Sequence, residues 1–198
     1  MKTTQKVVST QRLNEWLKDR LQHESRHTIP PFTEDTVSYL VNLLVYFSQS
    51  QNFFTRSEHG ITFPSLAFLY RDASQAKTTT SKLITLRRLG DSALFIGAMF
   101  PEKLGRVGIK KDYYIGMGGG AYSALADYNY GNPEVFSELS ARFPKFLQVT
   151  ARVCTREVQF DAEEIFMLYE RWRSSRDELL KRQLMSVGIS TFDEDRIH

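Results

Sequence analysis

Cysteine, long apolar runs and a strong excess of one charge are all scarce in this 198-residue sequence. Cys154 is its single cysteine, so no intrachain disulfide can form, which is typical of proteins from a reducing compartment. No stretch approaches the roughly 18 apolar residues that a membrane span requires. The first ten residues include two lysines but lack the apolar region of a secretory signal. We therefore expect a soluble, cytoplasmic protein without a membrane partner.

The composition is that of an ordinary globular domain. Apolar residues make up 41% of the chain and charged residues 25%, enough to build both a core and a solvated surface. The net charge of +3 permits an anionic partner, but nucleic-acid-binding domains usually show a larger and more clustered excess. Without internal repeats or a long linker, the chain is predicted to be one domain over 1–198, with 1–9 and 189–198 as flexible tails.

Helical spacing of apolar residues dominates the chain, and no segment alternates cleanly at period two. The sequence therefore predicts an all-α, single-domain bundle of about six or seven helices, with a possible strand only at 113–115. Capping residues and prolines set the ends of these helices. The predicted spans are about 9–26, 33–49, 64–70, from between 72 and 80 to 100, 112–128, 132–159 with a break at Pro144, and 161–188. The segment 51–60 is predicted to be a loop.

The apolar run from Ser92 to Phe100 has no polar face, which predicts a buried helix in the middle of the domain. Gly90 is a candidate kink just before this run. The segment Gly116–Ala126 is rich in small residues and is the expected packing partner of the central helix.

The five residues from His23 to His27 read H-E-x-x-H and resemble the motif of the zincin metalloproteases. On a helix, His23 and His27 lie one turn apart and can share a zinc ion, while Glu24 can activate a bound water. This resemblance implies a zinc hydrolase. The alternative is a coincidental pattern near a helix end, since Arg26 stands inside the motif and Pro30 follows closely. In that case both histidines lie half-buried at the edge of the apolar stripe.

The glycine-rich segment 116–121 contains G-x-G-x-x-A, a variant of the dinucleotide-binding fingerprint. Four glycines weaken a helix by roughly 1 kcal/mol each relative to alanine, so a specific use should offset that cost. One interpretation is close packing against the segment 90–98. The other is a ligand pocket lined by backbone amides. The residues of that pocket would be Asp91, Tyr113, Tyr114, Gly116, Gly118, Gly119, Gly120 and Tyr122.

Asp91 stands beside the apolar central run. A buried carboxylate needs a hydrogen-bond donor or a cation, because an unpaired buried charge costs several kcal/mol. Arg87 or Arg88 is the expected partner, and a polar group in a pocket is the functional alternative.

The stretch 77–111 is the most basic part of the chain. Its cations are Lys77, Lys82, Arg87, Arg88, Lys103, Arg106, Lys110 and Lys111. On a helix they do not form one continuous stripe, which favours a solvated face over a nucleic-acid or anion-binding surface.

No catalytic constellation stands out besides the H-E-x-x-H pattern, and Cys154 falls in an apolar-periodic helix typical of core cysteines. The sequence thus favours a non-enzymatic helical module that binds a protein partner and needs no cofactor. A zinc hydrolase using His23, Glu24 and His27, and a weak nucleic-acid or anion binder, remain the alternatives.

Overall fold

The computed structural model describes residues 2–48, 55–57, 60–62, 65–100 and 110–155, together with single positions between 169 and 184. Seven helices have defined bounds within these ranges. They are α1 (Lys2–Arg26), α2 (Glu34–Phe47), α3 (Leu66–Ser74), α4 (Thr79–Met99), α5 (Lys111–Asp127), α6 (Pro133–Ala141) and α7 (Phe143–Thr155). This architecture confirms the predicted all-α bundle. None of these helices combines the length and apolarity that crossing a membrane demands.

Short polar side chains begin most of these helices. The Thr33 side chain accepts a hydrogen bond from the Thr36 amide at the start of α2, and Asn132 accepts one from the Val135 amide at the start of α6. Ser65 and Thr78 cap α3 and α4 in the same way. Such caps satisfy amides that have no partner within the helix, which is why the starts of α2 and α6 are predictable from sequence.

One helix start differs from the prediction, and one predicted break separates two helices. α1 begins at Lys2 instead of near Ser9, so it covers most of the segment expected to be a tail. The predicted break at Pro144 separates α6 from α7, and Arg142 lies between them with φ −118° and ψ 21°. Proline is accommodated in the first turn of α7, where its missing amide costs no hydrogen bond.

A small β-hairpin lies where a loop was predicted. The strands β1 (Thr55–Ser57) and β2 (Gly60–Thr62) pair antiparallel, with Thr55 opposite Thr62. Threonine and isoleucine favour extended backbone, which supports these strands. Three residues are too few to show alternation, so the prediction was wrong here. The possible strand at 113–115 was also wrong, because those residues belong to α5.

The core centres on α4, as the apolar run predicted. Every residue from Ser92 to Ala98 is buried, and α5 packs along this face. Gly90 lies inside α4, which is one continuous helix from Thr79 to Met99. A Cβ atom on Gly90 would lie 2.7 Å from Cε1 of Tyr122, so this glycine makes room for a ring of the neighbouring helix.

The last predicted helix, 161–188, lies mostly outside the described residues. Among its described positions, Trp172 and Leu184 are buried, as expected for its inner face. The Trp172 ring contacts Tyr169, and the Arg176 guanidinium lies 5.1 Å from its centroid. The predicted tail 189–198 lies outside the described residues.

Candidate functional site

Asp91 on α4 joins three helices through its carboxylate. The Tyr39 hydroxyl on α2 and the Tyr122 hydroxyl on α5 both donate hydrogen bonds to Asp91 Oδ1, at 2.6 and 2.8 Å. Arg87, one turn earlier on α4, places Nε 3.7 Å from Asp91 Oδ2. The buried carboxylate is thereby partnered, as the sequence required, but two of its three partners are tyrosines.

Arg87 also extends this network to the surface. Its Nε donates a hydrogen bond to the Tyr39 hydroxyl at 3.3 Å, and its guanidinium lies 5.4 Å from the centroid of that ring. The Arg87 side chain remains 49% exposed, whereas that of Asp91 is 18% exposed. The largely buried carboxylate of Asp91 is thus connected, through the Tyr39 hydroxyl, to the solvent-exposed guanidinium of Arg87.

Burial raises the pKa of Asp91 above that of an ordinary aspartate, while the bonds from Tyr39 and Tyr122 and the charge of Arg87 act against this shift. Burial, together with the negative charge of Asp91, raises the pKa of Tyr39 and of Tyr122. Both phenols therefore keep their protons at neutral pH and act as donors to the carboxylate.

An open groove with a volume of about 510 Å³ lies above this carboxylate, between α2 and α4. We call it the Asp91 groove. It combines aromatic rings, aliphatic side chains, two guanidinium groups and one carboxylate. Its lining consists of Tyr39, Asn42, Leu43, Tyr46, Phe47, Ile84, Arg87, Arg88, Asp91, Ser92 and Tyr130. Tyr46 and Ile84 are 54% and 55% exposed, so the groove presents apolar surface to solvent.

Both helices present the groove with the same spacing. On each, the main lining residues fall at positions i, i+3, i+4 and i+7, which places them on one helix face. These are Tyr39, Asn42, Leu43 and Tyr46 on α2, and Ile84, Arg87, Arg88 and Asp91 on α4. The groove is therefore built from two rigid helical stripes, and Tyr130 closes it from the turn after α5.

The structure does not assemble the backbone-lined pocket proposed for the glycine-rich segment. Of the eight predicted residues, Asp91 and Tyr122 meet, whereas Tyr113 is exposed and Tyr114 is buried against Gly97. The four glycines lie inside α5, so their amides belong to helical turns and do not converge on a ligand. Those glycines are Gly116, Gly118, Gly119 and Gly120.

The glycines of α5 instead separate into packed and solvent-facing positions. A Cβ atom on Gly118 would collide with the ring of Phe143 and lie 2.9 Å from Cβ of Ala93. The carbonyl oxygen of Gly119 accepts a hydrogen bond from Ser140 Oγ at 2.9 Å. Gly116 and Gly120 face open space. The packed positions correspond to the close-packing interpretation.

The two histidines of the H-E-x-x-H pattern face solvent, His23 in the last turn of α1 and His27 directly after its end. Their ring centroids are 5.1 Å apart, and both residues are exposed where the sequence suggested half-burial. Glu24 is buried on another side of the helix, with Oε2 3.3 Å from Nη1 of Arg152. Across the described residues, no group of three or more side chains of metal-ligand type stands close enough to hold an ion. Glu24 thus forms an ion pair with Arg152 on α7 and does not share the exposed side of the two histidines.

The basic stretch divides between different surroundings. Arg87 and Arg88 line the Asp91 groove, while Lys82 Nζ donates a hydrogen bond to the Tyr128 hydroxyl at 3.1 Å. Lys77 is exposed before α4. Lys110 and Lys111 are exposed at the start of α5, and Lys103 and Arg106 lie outside the described residues.

Sequence reasoning missed the contribution of α2 to the site. Tyr39 and Tyr46 interrupt the apolar face of that helix, and their seven-residue spacing is the one local signal that they share a side. Nothing in the sequence indicates that this side meets Asp91, because Tyr39 and Asp91 are 52 residues apart.

Comparison of the chain with models of protein families, with curated proteins and with solved structures gives no match.

Proposed function

We propose that this protein is a non-enzymatic helical module that binds a short acidic segment of a partner protein in the Asp91 groove. The observation that carries the proposal is the juxtaposition of exposed apolar side chains, Tyr46 and Ile84, with the guanidinium groups of Arg87 and Arg88.

The apolar part of the groove supports an interface. Removing apolar surface from water contributes about 25 cal/mol per Å², so half-exposed Tyr46 and Ile84 can each stabilise a complex by burying their remaining surface. Tyrosine and arginine are also the side chains that most often dominate binding energies at protein interfaces.

The charge of the groove supports an acidic occupant. Its lining contains one carboxylate, on Asp91, and two guanidinium groups, which leaves a surplus of one positive charge. Arg88 is exposed, and within the described part of the chain no carboxylate forms an ion pair with it. An aspartate or glutamate next to the apolar anchor of the partner would supply that carboxylate.

The volume of the groove supports binding of a short partner segment and not of a large, flat partner surface. A volume of about 510 Å³ is in the range of pockets that hold one or a few side chains. The lining takes one stripe of side chains from α2 and one from α4, and a groove between two helices suits a helical or extended peptide.

The chemistry of the lining supports binding over catalysis. Its described residues provide a single carboxylate, and they include neither histidine nor cysteine. The ionisable group beside that carboxylate is the Tyr39 phenol, whose pKa is raised by burial and whose proton is already donated to Asp91, so it is poorly suited to act as a general base.

The proposal is tested by selecting a phage-displayed library of random 12-residue peptides on the immobilised full-length protein, with counter-selection on Ile84→Asp. We expect enriched peptides to combine an apolar anchor with nearby acids. In fluorescence anisotropy, their affinity should fall at least about tenfold for Ile84→Asp, should also fall for Arg88→Glu, and should decrease as salt rises.

Ile29→Asp is the matched control, because Ile29 is an equally apolar side chain that is 98% exposed and lies outside the Asp91 groove. This variant should bind the selected peptides like the wild type. If no peptide survives counter-selection, or if Ile29→Asp weakens binding as much as Ile84→Asp, the groove is not the binding site.

A further inference from the structure

Asp91 presents its two carboxylate oxygens in unequal states. Oδ1 accepts two hydrogen bonds, from the hydroxyls of Tyr39 and Tyr122, which use both of its lone pairs. Within the described chain, Oδ2 accepts no hydrogen bond, and Nε of its ion-pair partner Arg87 lies 3.7 Å away, beyond hydrogen-bond distance. Oδ1 therefore has no further lone pair for a ligand, whereas Oδ2 can still accept a hydrogen bond.

We infer that Asp91 Oδ2 selects what enters the groove: an anchor side chain that carries a neutral hydrogen-bond donor, namely the hydroxyl of tyrosine or the indole N–H of tryptophan. This inference rests on the proposed function, because it specifies the anchor of the acidic segment that the Asp91 groove binds. Asp91 thereby acts as a specificity-determining residue.

Because Oδ2 accepts no hydrogen bond from the described chain, it discriminates between anchor side chains that carry a hydrogen-bond donor and those that do not. Asp91 lines the groove and its side chain is only 18% exposed, so an occupant that fills the groove removes water from the exposed part of this side chain. Because Oδ1 already accepts two hydrogen bonds, Oδ2 is the oxygen with a water contact to lose. An anchor with a donor replaces the lost water contacts. A phenylalanine or leucine anchor leaves Oδ2 in an apolar contact with its ion pair to Arg87 but without a hydrogen-bond donor, which weakens binding. Sites that hydrogen-bond their ligand discriminate strongly against analogues lacking the donor.

The charge around Asp91 favours a neutral donor over a cationic one. Arg87 and Arg88 line the same groove, so the ammonium of a lysine anchor or the guanidinium of an arginine anchor would meet two cations and one anion. The net repulsion acts against such an anchor even though the carboxylate attracts it.

The ring content of the groove favours an aromatic carrier for that donor. Tyr39, Tyr46, Phe47 and Tyr130 all contribute to the lining, and aromatic rings pack well edge-to-face or offset against one another. Serine and threonine carry the same hydroxyl donor but offer far less apolar surface to these walls. Tyrosine and tryptophan combine both properties.

The first test reads the anchor residue of the peptides selected from the random 12-residue library on the wild-type chain. We expect tyrosine or tryptophan beside acidic residues. Enrichment of phenylalanine or leucine beside acids would overturn the inference while leaving the proposed function intact. Enrichment of lysine or arginine anchors would overturn it as well. Recovery of no groove-dependent peptide would reject the proposed function, and the inference with it.

The second test compares a selected peptide with its analogue in which the anchor tyrosine is replaced by phenylalanine. We expect the wild-type protein to bind the tyrosine peptide at least about tenfold more tightly. In Asp91→Asn, whose amide oxygen can still accept from Tyr39 and Tyr122, this ratio should fall, because the NH2 group that replaces Oδ2 cannot accept the tyrosine proton and loses the charge that strengthens the bond. Equal affinity of both peptides for the wild type would overturn the inference, and that comparison does not depend on how the variant folds.

Discussion

Gly97 on α4 lies directly against the ring of Tyr114 on α5, and a Cβ atom on Gly97 would fall 2.6 Å from Cδ2 of that ring. Two turns earlier, Gly90 receives the ring of Tyr122 in the same manner. The two central helices thus approach each other closely at two glycines, each occupied by a tyrosine ring.

The first prediction concerns this close approach. Gly97→Ala should lower the free energy of unfolding by about 1–3 kcal/mol, because the buried ring of Tyr114 has little room to move. Gly120→Ala is the matched control within α5. Its new methyl group would face open space, so the higher helix propensity of alanine should stabilise the protein by up to about 1 kcal/mol. Urea denaturation measures both, and equal effects would contradict this packing.

Local signals predicted some of these features, and tertiary contacts decided the rest. The starts of α2 and α6 follow from Thr33 and Asn132, whose side chains act on amides three residues away. The burial of α4 follows from its lack of a polar face. The use of Gly90 could not be predicted, because the sequence does not reveal that a tyrosine ring from another helix fills the space beside it.

The candidate site was less predictable than the fold. Asp91 could be identified because a carboxylate next to an apolar run needs partners, and Arg87 was a correct expectation at one helical turn. Tyr39 could not be identified, since its hydroxyl reaches Asp91 only when α2 packs beside α4. Contacts between residues far apart in sequence leave no periodic trace in a single chain.

The second prediction concerns the hydroxyl of Tyr122, which is fully buried and donates to Asp91. Tyr122→Phe should lower the free energy of unfolding by about 1–3 kcal/mol, because it removes a charge-assisted hydrogen bond and leaves the ring packing intact. Tyr128→Phe is the control, since that side chain is 48% exposed and should change stability by less than about 0.5 kcal/mol. Thermal and urea unfolding that rank the two variants in the opposite order would argue against the network.

The third prediction concerns pH. Because burial raises the pKa of Asp91, the folded state binds a proton more tightly there than the unfolded state, whose aspartate titrates near 3.8. Between these two pKa values, rising pH should therefore lower the stability of the wild type relative to Asp91→Asn. Urea denaturation of both proteins from acidic to neutral pH measures this difference. A stability gap independent of pH, or one of opposite slope, would show that the carboxylate is not destabilised by burial.

The fourth prediction concerns Cys154 on α7. Burial raises the pKa of its thiol to about 12, so almost none of it is thiolate at neutral pH. The native protein should react with an aromatic disulfide reagent much more slowly than the urea-unfolded chain does. Rapid modification of the native protein would mean that the thiol is accessible and ionised.

The fifth prediction concerns His23 and His27. Because Glu24 pairs with Arg152 and the described chain provides no third ligand, we expect protein purified without chelators to contain well under one zinc per chain. Elemental mass spectrometry of wild type and His23→Ala measures this. About one zinc in the wild type, lost in the variant, would revive the hydrolase alternative and call for peptidase assays.

The carboxylate that ties α2, α4 and α5 together has a consequence for how the groove receives its occupant. Tyr39 is held by Asp91 and Arg87 before anything enters, so the floor and one wall are already ordered by folding itself. A preorganised site loses little conformational entropy when it binds. It therefore favours selective recognition of one shape over adaptation to many different partners. Under the proposed function, we therefore expect the groove to bind its segment with little change in the positions of Tyr39 and Asp91.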